Sequence, residues 1–596
     1  DADRRGSELQ NKIRQMAKES GVRVLGPNTL GVLNNFCGVT TGFLDFVRPE
    51  KFYPVGLIAQ TGLFHVAPRE ISGLAWGKAV DIGNSSDVDF VDVLEYFGGD
   101  PETRVIAIYM EGILRGREFI EAASRISRQK PIIVLKSGRT AAGAKAALSH
   151  TGSLVGEDAV NDAAFRRAGI IRVQDSLGLR DAIRALVRFE AKAGPRVGVL
   201  TSSGGGGIMA TDACSDFGLT IGSLPEGLAG SLKHKIPDWI HVGNPVDIWP
   251  VGMLGDGYGN AYRKALTGLL QAPDLDAAVA VSINMNSPLH KDIDIVKVIN
   301  DVRREADNDK PIGMWIYGQA AEEAAERLNS IKGVACFDTV EQAVRALSLS
   351  WRYRQIKERK PPVLRRFAYD RAAAEPLLQK GRKRKILLGD DALRLLAVFG
   401  IPSAVGITVR SWRGIEAAAA KLSRPLVLKL SGEDFLHKSE WGGVATGINS
   451  KKELRESWRR MKENVRRRNP KLQPCFQLQE QVAGKELLLG LKRDADFGHI
   501  IACGLGGIYT EVFKDVSREL VPIGRSEAED MLAALKIYPL LTGVRGEEGV
   551  DLEALLDILE RLSFLAGTIP DIAELDINPL LAAAAGCRAV DARIIW

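Results

Sequence analysis

Cysteine is scarce in this chain: six residues in 596, scattered, with no Cys-x-x-Cys pair. That excludes a disulfide framework and a structural zinc, and fits a reducing compartment, the cytoplasm. Long apolar runs are missing too. No stretch reaches the roughly 18 apolar residues of a membrane helix, so no membrane partner is expected. Excess charge is small, +6 over the whole chain, which gives no reason to expect nucleic acid. The one strongly basic, Pro-containing stretch, 352–385, has no interleaved row of aromatic platforms and reads as a solvated linker. The start lacks both a Met and a signal peptide. A charged helix runs there directly into a strand and a Gly26-Pro27 turn. Domains rarely begin this way, so a further N-terminal piece is expected.

What is present points to an enzyme. Apolar residues make up 45% and charged residues 26%, and Gly reaches 61, enough for several domains with many tight turns. Short apolar runs ending in Gly or polar turns alternate with helical patterns up to about residue 350. Examples are "YPVGLIAQTG", "RVIAIYMEG", "KPIIVLKSG", "RVGVLTSSGGGG", "DAAVAVSINM" and "KPIGMWIYG". This is the doubly wound α/β pattern. Its layout repeats, so two α/β domains in tandem are expected, over 49–192 and 193–352. After the basic stretch the strands alternate in polarity and hairpin signals appear, which marks 386–596 as a separate α+β domain.

The chemistry gathers at a few motifs. "AQTG" (59–62) and "TSSGGGG" (201–207) each follow a strand and open a helix. Free N–H groups and a positive dipole end make such turns anion sites, with Thr61, Gly62, Ser203, Gly204 and Gly205 as the candidate phosphate holders. Glu111, in "YMEGI", ends a strand where α/β folds place their sites. A carboxylate there can steady an imidazole or cap a neighbouring helix. His150 stands in "KAALSHTGSLVGEDA", small residues on both sides: a plain surface loop, or a histidine built to move. In the C-terminal half, Lys429 lies on a strand and is expensive there unless a phosphate or carboxylate meets it. Glu480 and Glu486 flank a turn. Glu574, Asp576, Asn578 and Asp591 lie in apolar strands, as strand-edge acids or as the oxygen donors that suit Mg²⁺.

Taken in order, "VLGPNTLGVLN", "AQTGLF", "YMEGI", "ALSHTGSL", "TSSGGGG", "GNPVDI", "FLHKSEWGGV", "GLGGIYTEVFKD" and "ELDINPL…AVDARI" resemble the acyl-CoA synthetases of the nucleoside-diphosphate-forming type. That superfamily includes ADP-forming acetate–CoA ligase, succinyl-CoA synthetase and ATP-citrate lyase. The resemblance covers nearly the whole chain. It implies tandem flavodoxin-like domains, a C-terminal ATP-grasp domain over 386–596, and a remnant of a CoA-binding Rossmann-like domain over 1–48, with 353–385 as linker. It implies an ADP-forming acid–CoA ligase that uses ATP, Mg²⁺ and coenzyme A. In that reading His150 is the covalent phosphate carrier and Glu111 steadies it. His437 is a second phosphoryl acceptor on the nucleotide side. Lys429, Glu480 and Glu486 face the nucleotide, and Asn578 and Asp591 hold Mg²⁺. Asn28, Asn244 and Pro245 lie toward CoA or the acid. A homo-oligomer is expected by family habit alone.

The chain departs from the family at "AQTGLF", where "SQSGAL" is usual. Phe64 stands in a place usually small, so bulk beside the acyl site would reshape it. Phe64 and Trp249 together suggest aryl acids such as cinnamates, unless both are core residues. Three rivals carry weight: a regulatory acyl-CoA-sensing protein on this scaffold, a CoA-activating lyase, and an ATP-grasp ligase without CoA. The intact His150 argues against the first, and the "GPNTLG" and "SHTG" motifs against the last.

Overall fold

The computed structural model describes residues 4–43, 48–68, 73, 75–140, 142–143, 157–233, 236–255, 257–285, 294–435, 438–507 and 515–596. His150 and His437 lie outside the described residues. The chain divides into two units, Asp1–Arg359 and Lys360–Trp596.

The near-continuous apolar runs of the first unit become strands buried on both faces, as parallel sheets require. Among the described residues the first sheet runs Val39–Thr40, Gly31–Asn34, Trp76–Asp81, Tyr53–Ala59, Val105–Met110, Ile132–Lys136, Ile171–Val173. From Trp76–Asp81 onward every pairing is parallel. The helix Ser176–Phe189 lays Leu179, Ile183 and Leu186 over Val55, Leu57 and Ala107. On the other face Phe97, from the helix Phe90–Gly99, presses on Gly56, where a Cβ would lie 2.8 Å from its ring. Crossovers of this kind bring the ends of Ala59, Met110 and Lys136 to one rim of the sheet.

The segment expected as a domain remnant behaves differently. Gly31–Asn34 pairs antiparallel with Trp76–Asp81, and Val39–Thr40 adds to its far edge. Residues 31–40 therefore belong to the first sheet, and a boundary at residue 48 falls after two of its strands. The edge of Trp76–Asp81 would otherwise expose unpaired backbone groups. The "GPNTLG" turn is tied to the same place: Asn84 N donates to Pro27 O (2.9 Å), Ser86 N to Gly26 O (3.0 Å) and Leu30 N to Asp81 Oδ2 (2.7 Å). Gly83 permits this approach, with φ +51° and a Cβ position only 2.3 Å from Pro27 O.

The second sheet of this unit is parallel throughout its described strands: Val246–Asp247, Arg196–Thr201, Ala277–Ile283, Ile312–Tyr317, Val334–Phe337, with Thr220–Ile221 also on Arg196–Thr201. The helix Val340–Glu358 serves both sheets: Val344 and Leu347 pack under the second, Tyr353 in the core of the first. Fully buried Asp181 fixes that helix through Arg345 at 2.7 Å.

The second unit holds two antiparallel sheets. One runs Ile386–Leu388, Ala592–Ile595, Glu574–Ala583, Lys485–Asp494, Gly498–Leu505, Val516–Leu520, with Gly586–Ala589 on Glu574–Ala583; the other runs Gly406–Val409, Cys475–Glu480, Leu426–Ser431, Val444–Ile448. The basic stretch is mostly helical rather than a tether. Its first residues finish Val340–Glu358, and its last form the helix Arg371–Arg384, capped by Asp370 onto Ala373 N at 3.0 Å. Ala374 and Leu378, four apart, put one helix face into the core beneath the exposed charges. No helix among the described residues is long and apolar enough to cross a membrane.

Gly83 gives the first test. Gly83→Ala should lower the thermal midpoint by an amount equivalent to about 2–4 kcal/mol, because both φ and the Pro27 contact resist a Cβ. Gly99→Ala, whose Cβ would meet nothing within 4 Å, should leave the midpoint nearly unchanged. Equal midpoints for the two variants would refute the packing argument.

Candidate active site

Strand Val105–Met110 ends at buried Glu111, 7% exposed. The neighbouring strands stop at Ala59 and Lys136, so the peptide groups of Glu111 run past the ladder on both sides. Side chains take over. Gln60 Oε1 accepts from Glu111 N (2.6 Å) and Gly112 N (3.0 Å). Lys136 Nζ donates to Glu111 O and to Ser137 O, each at 2.7 Å. Tyr109 Oη donates to Glu111 Oε1 at 3.3 Å, its phenol kept protonated by burial and by Glu111 itself. Glu111 Oε2 is buried and has no hydrogen-bond partner among the described residues. Lys136 is 3% exposed, and burial pulls its pKa down to about 8.

Gln60 belongs to "AQTG", so that turn lies beside Glu111. Thr61 Oγ1 accepts weakly from Leu63 N (3.4 Å), and Gly62 opens the helix Leu63–Val66. That helix is one turn. The second Gly turn is better developed. Ser203 precedes a full helix, Gly204–Asp216, without capping it by its side chain; Gly204 and Gly205 are exposed. Asp247 Oδ2 comes within 3.5 Å of the Cβ position on Gly204. This turn belongs to the second sheet.

Asn244 does not present its amide to a ligand. Its Oδ1 accepts from Val199 N (2.8 Å), and its Nδ2 donates to Val197 O (3.0 Å) and Gly222 O (2.7 Å). The side chain thus fills the gap between Thr220–Ile221 and Val246–Asp247 on one strand edge, and Pro245 packs on Gly207. Asn28 is exposed, with φ +59°. Phe64 is 2% exposed and packs on Tyr109, ring centroids 4.9 Å apart. The core reading, not the acyl-site reading, holds for it.

The second unit gathers another charged centre. Lys429 is 7% exposed; its Nζ donates to Val590 O at 2.8 Å, and burial draws its pKa down to about 8, opposed by Asp591. Asp591 is ion-paired with Lys438. Asp576 is pushed up to about 6 by burial, with Glu574 and Asp591 adding to the shift and Arg593 opposing it. Asn578 Oδ1 accepts from Gly507 N at 3.4 Å, and Glu486 Oε2 presses on the same glycine, 2.0 Å from its Cβ position. Lys429, Asn578, Asp591 and Glu486 thus share one neighbourhood with the candidate acid Asp576 and with Lys438 and Gly507, which the sequence reading did not single out. Glu480 is spent on Ser423 N at 2.7 Å. A cleft of about 340 Å³, lined by Arg384, Arg394, Arg410 and Glu433 among others, touches none of these nucleotide candidates.

The donor set fits Mg²⁺. Asn578, Asp576 and Asp591 offer an amide oxygen and two carboxylates, and Asp576 resists ionising chiefly through burial, with Glu574 and Asp591 adding to it, a penalty that a cation would relieve. No larger cluster of His, Cys, Asp and Glu ligands is found among the described residues. Mg²⁺ needs none, because it takes its remaining oxygens from phosphates and water.

Comparison with known proteins identifies the domains that carry these residues. Three family descriptions match: a succinyl-CoA ligase like flavodoxin domain over 54–186, a ligase-CoA domain over 197–361 and an ATP-grasp domain over 378–595. Acetate–CoA ligase (ADP-forming) I of Archaeoglobus fulgidus is 34% identical, over 99% of this chain and 84% of its own length. The 4-hydroxybutyrate–CoA ligase (ADP-forming) of Nitrosopumilus maritimus is 30% identical over 100% and 85%. Among solved structures, the acetyl-coenzyme A synthetase 1 of Ca. Korarchaeum cryptofilum with phosphate and ADP matches at TM-score 0.53 and 34% identity. It covers 59% of this chain and 75% of that one.

Lys429 yields a pH test. Its folded pKa near 8 lies below its ordinary 10.5, so below about pH 8 the folded chain bears the full cost of a buried charge, about 3 kcal/mol. That cost fades as pH rises toward 10.5, where both states are neutral. Lys429→Met should therefore gain stability over wild type near neutral pH, and the gain should shrink by about pH 10. Denaturant midpoints measured at both pH values check this; a gain that grows with pH would contradict it.

Proposed function

Because the chain belongs to the nucleoside-diphosphate-forming acyl-CoA synthetase family and is an ADP-forming acid–CoA ligase, we propose that His150 carries phosphoryl from ATP to the acid. The observation that carries this reading is the buried, unpartnered Glu111 Oε2 beside the "AQTG" turn. It is an acceptor with no donor of its own, suited to an imidazole N–H.

A carboxylate is a poor electrophile, and its hydroxide leaving group must be replaced. In the first step a neutral His150 nitrogen attacks the γ-phosphorus of ATP, the P–O bond to ADP breaks, and ADP leaves. His437 is proposed as an intermediate acceptor on this side. Lys429 and Lys438 oppose the phosphate charge, and Asn578, Asp576 and Asp591 would hold Mg²⁺, which supplies further charge neutralisation. In the second step the acid's oxygen attacks the phosphorus and the P–N bond breaks, giving an acyl phosphate. Glu111 accepts from the ring N–H that the imidazole keeps throughout, and the freed nitrogen recovers its lone pair from the broken P–N bond. The amide ends at Thr61–Gly62 and Ser203–Gly205 are proposed to receive the phosphoryl oxygens. In the last step the CoA sulfur attacks the acyl carbon, the C–O bond breaks, and phosphate leaves.

The acid is proposed as a short aliphatic carboxylate, in line with the relatives that act on acetate and 4-hydroxybutyrate. Phe64, the reason for expecting a reshaped acyl site, is in the core. The reaction is placed in the cytoplasm, where ATP and CoA are held, and a homo-oligomer is proposed from family habit.

Incubation with γ-labelled ATP and Mg²⁺ should give an acid-labile, alkali-stable phosphoprotein, absent from His150→Ala. An unlabelled wild type would sink the phosphohistidine reading. A screen of acetate, branched short acids, hydroxy acids and cinnamates, scored by CoA-dependent ADP release, should favour the short aliphatic members; AMP release would point to a different chemistry.

A further inference from the structure

The peptide of Glu111 is gripped from both sides by side chains of the two flanking strands' ends. Its N–H and that of Gly112 go to Gln60; its carbonyl goes to Lys136. Each strand of a parallel sheet normally satisfies its neighbour by backbone alone. Here the ladder has ended, and two side chains continue it for one more residue. The result fixes the Glu111 backbone while Oε2 has no partner among the described residues.

Lys136 is an expensive way to satisfy a carbonyl. An ammonium 97% removed from solvent loses hydration that two carbonyl oxygens only partly replace, which is why burial pulls its pKa to about 8. A neutral donor would hold the peptide at less cost. The charge has another use. Glu111 is among the few acids acting on Lys136; Asp158 is another, and Asp158 is already engaged by Arg172 at 2.5 Å. The ammonium thus sets a positive charge beside the Glu111 side chain.

We propose that Lys136, with Gln60, is a positioning residue for Glu111: the pair locks the glutamate peptide so that its free carboxylate oxygen meets the phosphohistidine, and the Lys136 charge favours that docked state. This rests on the phosphohistidine reading above. It assigns a role to the Lys of "KPIIVLKSG" and the Gln of "AQTG", neither of which touches the reacting atoms itself.

The test separates loading of His150 from its discharge. The full chain is labelled with γ-labelled ATP, freed of nucleotide, and chased with the best acid of the screen plus hydroxylamine, which traps the acyl phosphate. Lys136→Met should slow discharge at least about tenfold more than it slows labelling, in the same direction as Glu111→Gln. In the Glu111→Gln background the Lys136 change should cost less than about twofold, because both act through one carboxylate. Lys136→Arg should recover much of the lost rate by restoring the charge, a rescue that a packing defect would not show. Should Lys136→Met fail to fold by circular dichroism, half-buried Gln60→Leu is judged by the same discharge split and the same non-additivity. An unlabelled wild type overturns the phosphohistidine reading itself. A labelled wild type, with either variant discharging at the wild-type rate or with losses that multiply in the double variant, overturns this inference alone.

Discussion

The two candidate centres are each built on a lysine ammonium taken out of water whose hydrogen bonds go to backbone carbonyls, unlike buried Lys78, which pairs with Asp100. Lys136 holds Glu111 O and Ser137 O; Lys429 holds Val590 O. Both are drawn to a pKa of about 8 by burial. Carbonyl dipoles offset only part of the lost hydration. Each ammonium is therefore costly to hold, and the fold bears that cost at a strand end in one unit and inside a strand in the other.

The two sheet types place these lysines in different ways. In the first unit, parallel strands deliver Gln60, Glu111 and Lys136 to one rim, because each crossover returns the chain to the same end. Three adjacent strand ends then meet within hydrogen-bond reach. In the second unit, antiparallel strands deliver residues from mid-strand. Lys429 sits opposite Gln477 in the register, and Asp576, opposite Arg593, shares the off-core face of its strand with Glu574. A rim tolerates polar side chains because it opens to solvent; a strand interior does so only where another layer or a ligand meets it. This explains why acids inside apolar strands were the informative signal in the C-terminal half.

What was legible in the sequence was chemistry with a local signature. A Gly turn after an apolar run, a glutamate just past a strand, and acids interrupting β-strands all declare themselves within a few residues. Lys136 did not. In "KPIIVLKSG" it reads as a polar strand end, and only the strand order brings its ammonium to the carbonyl of Glu111. Asn244 misled for the mirror reason. "GNP" looks like a ligand turn, yet the amide completes a strand edge whose gap exists only in the assembled sheet. The basic stretch 353–385 misled through composition: its charges hide Ala374 and Leu378, which carry one helix face into the core.

The aromatic question also turns on where bulk is spent. Phe64 packs on Tyr109 at 4.9 Å, and its carbonyl accepts from Trp76 Nε1 at 2.9 Å. Every part of it is committed to the sheet's own core, so its size cannot narrow a space the acid occupies. Its effect is indirect: it props Tyr109, whose hydroxyl reaches Glu111. Trp249 is placed otherwise. It is 37% exposed, edge-on to Tyr258 at 6.3 Å, on a short helix capped by Asp247, and Asp247 abuts Gly204. Of the two aromatics that the sequence set apart, Trp249 is thus the one with surface to offer, beside the Gly turn of the second sheet, while Phe64 is spent on the strand end that holds Glu111.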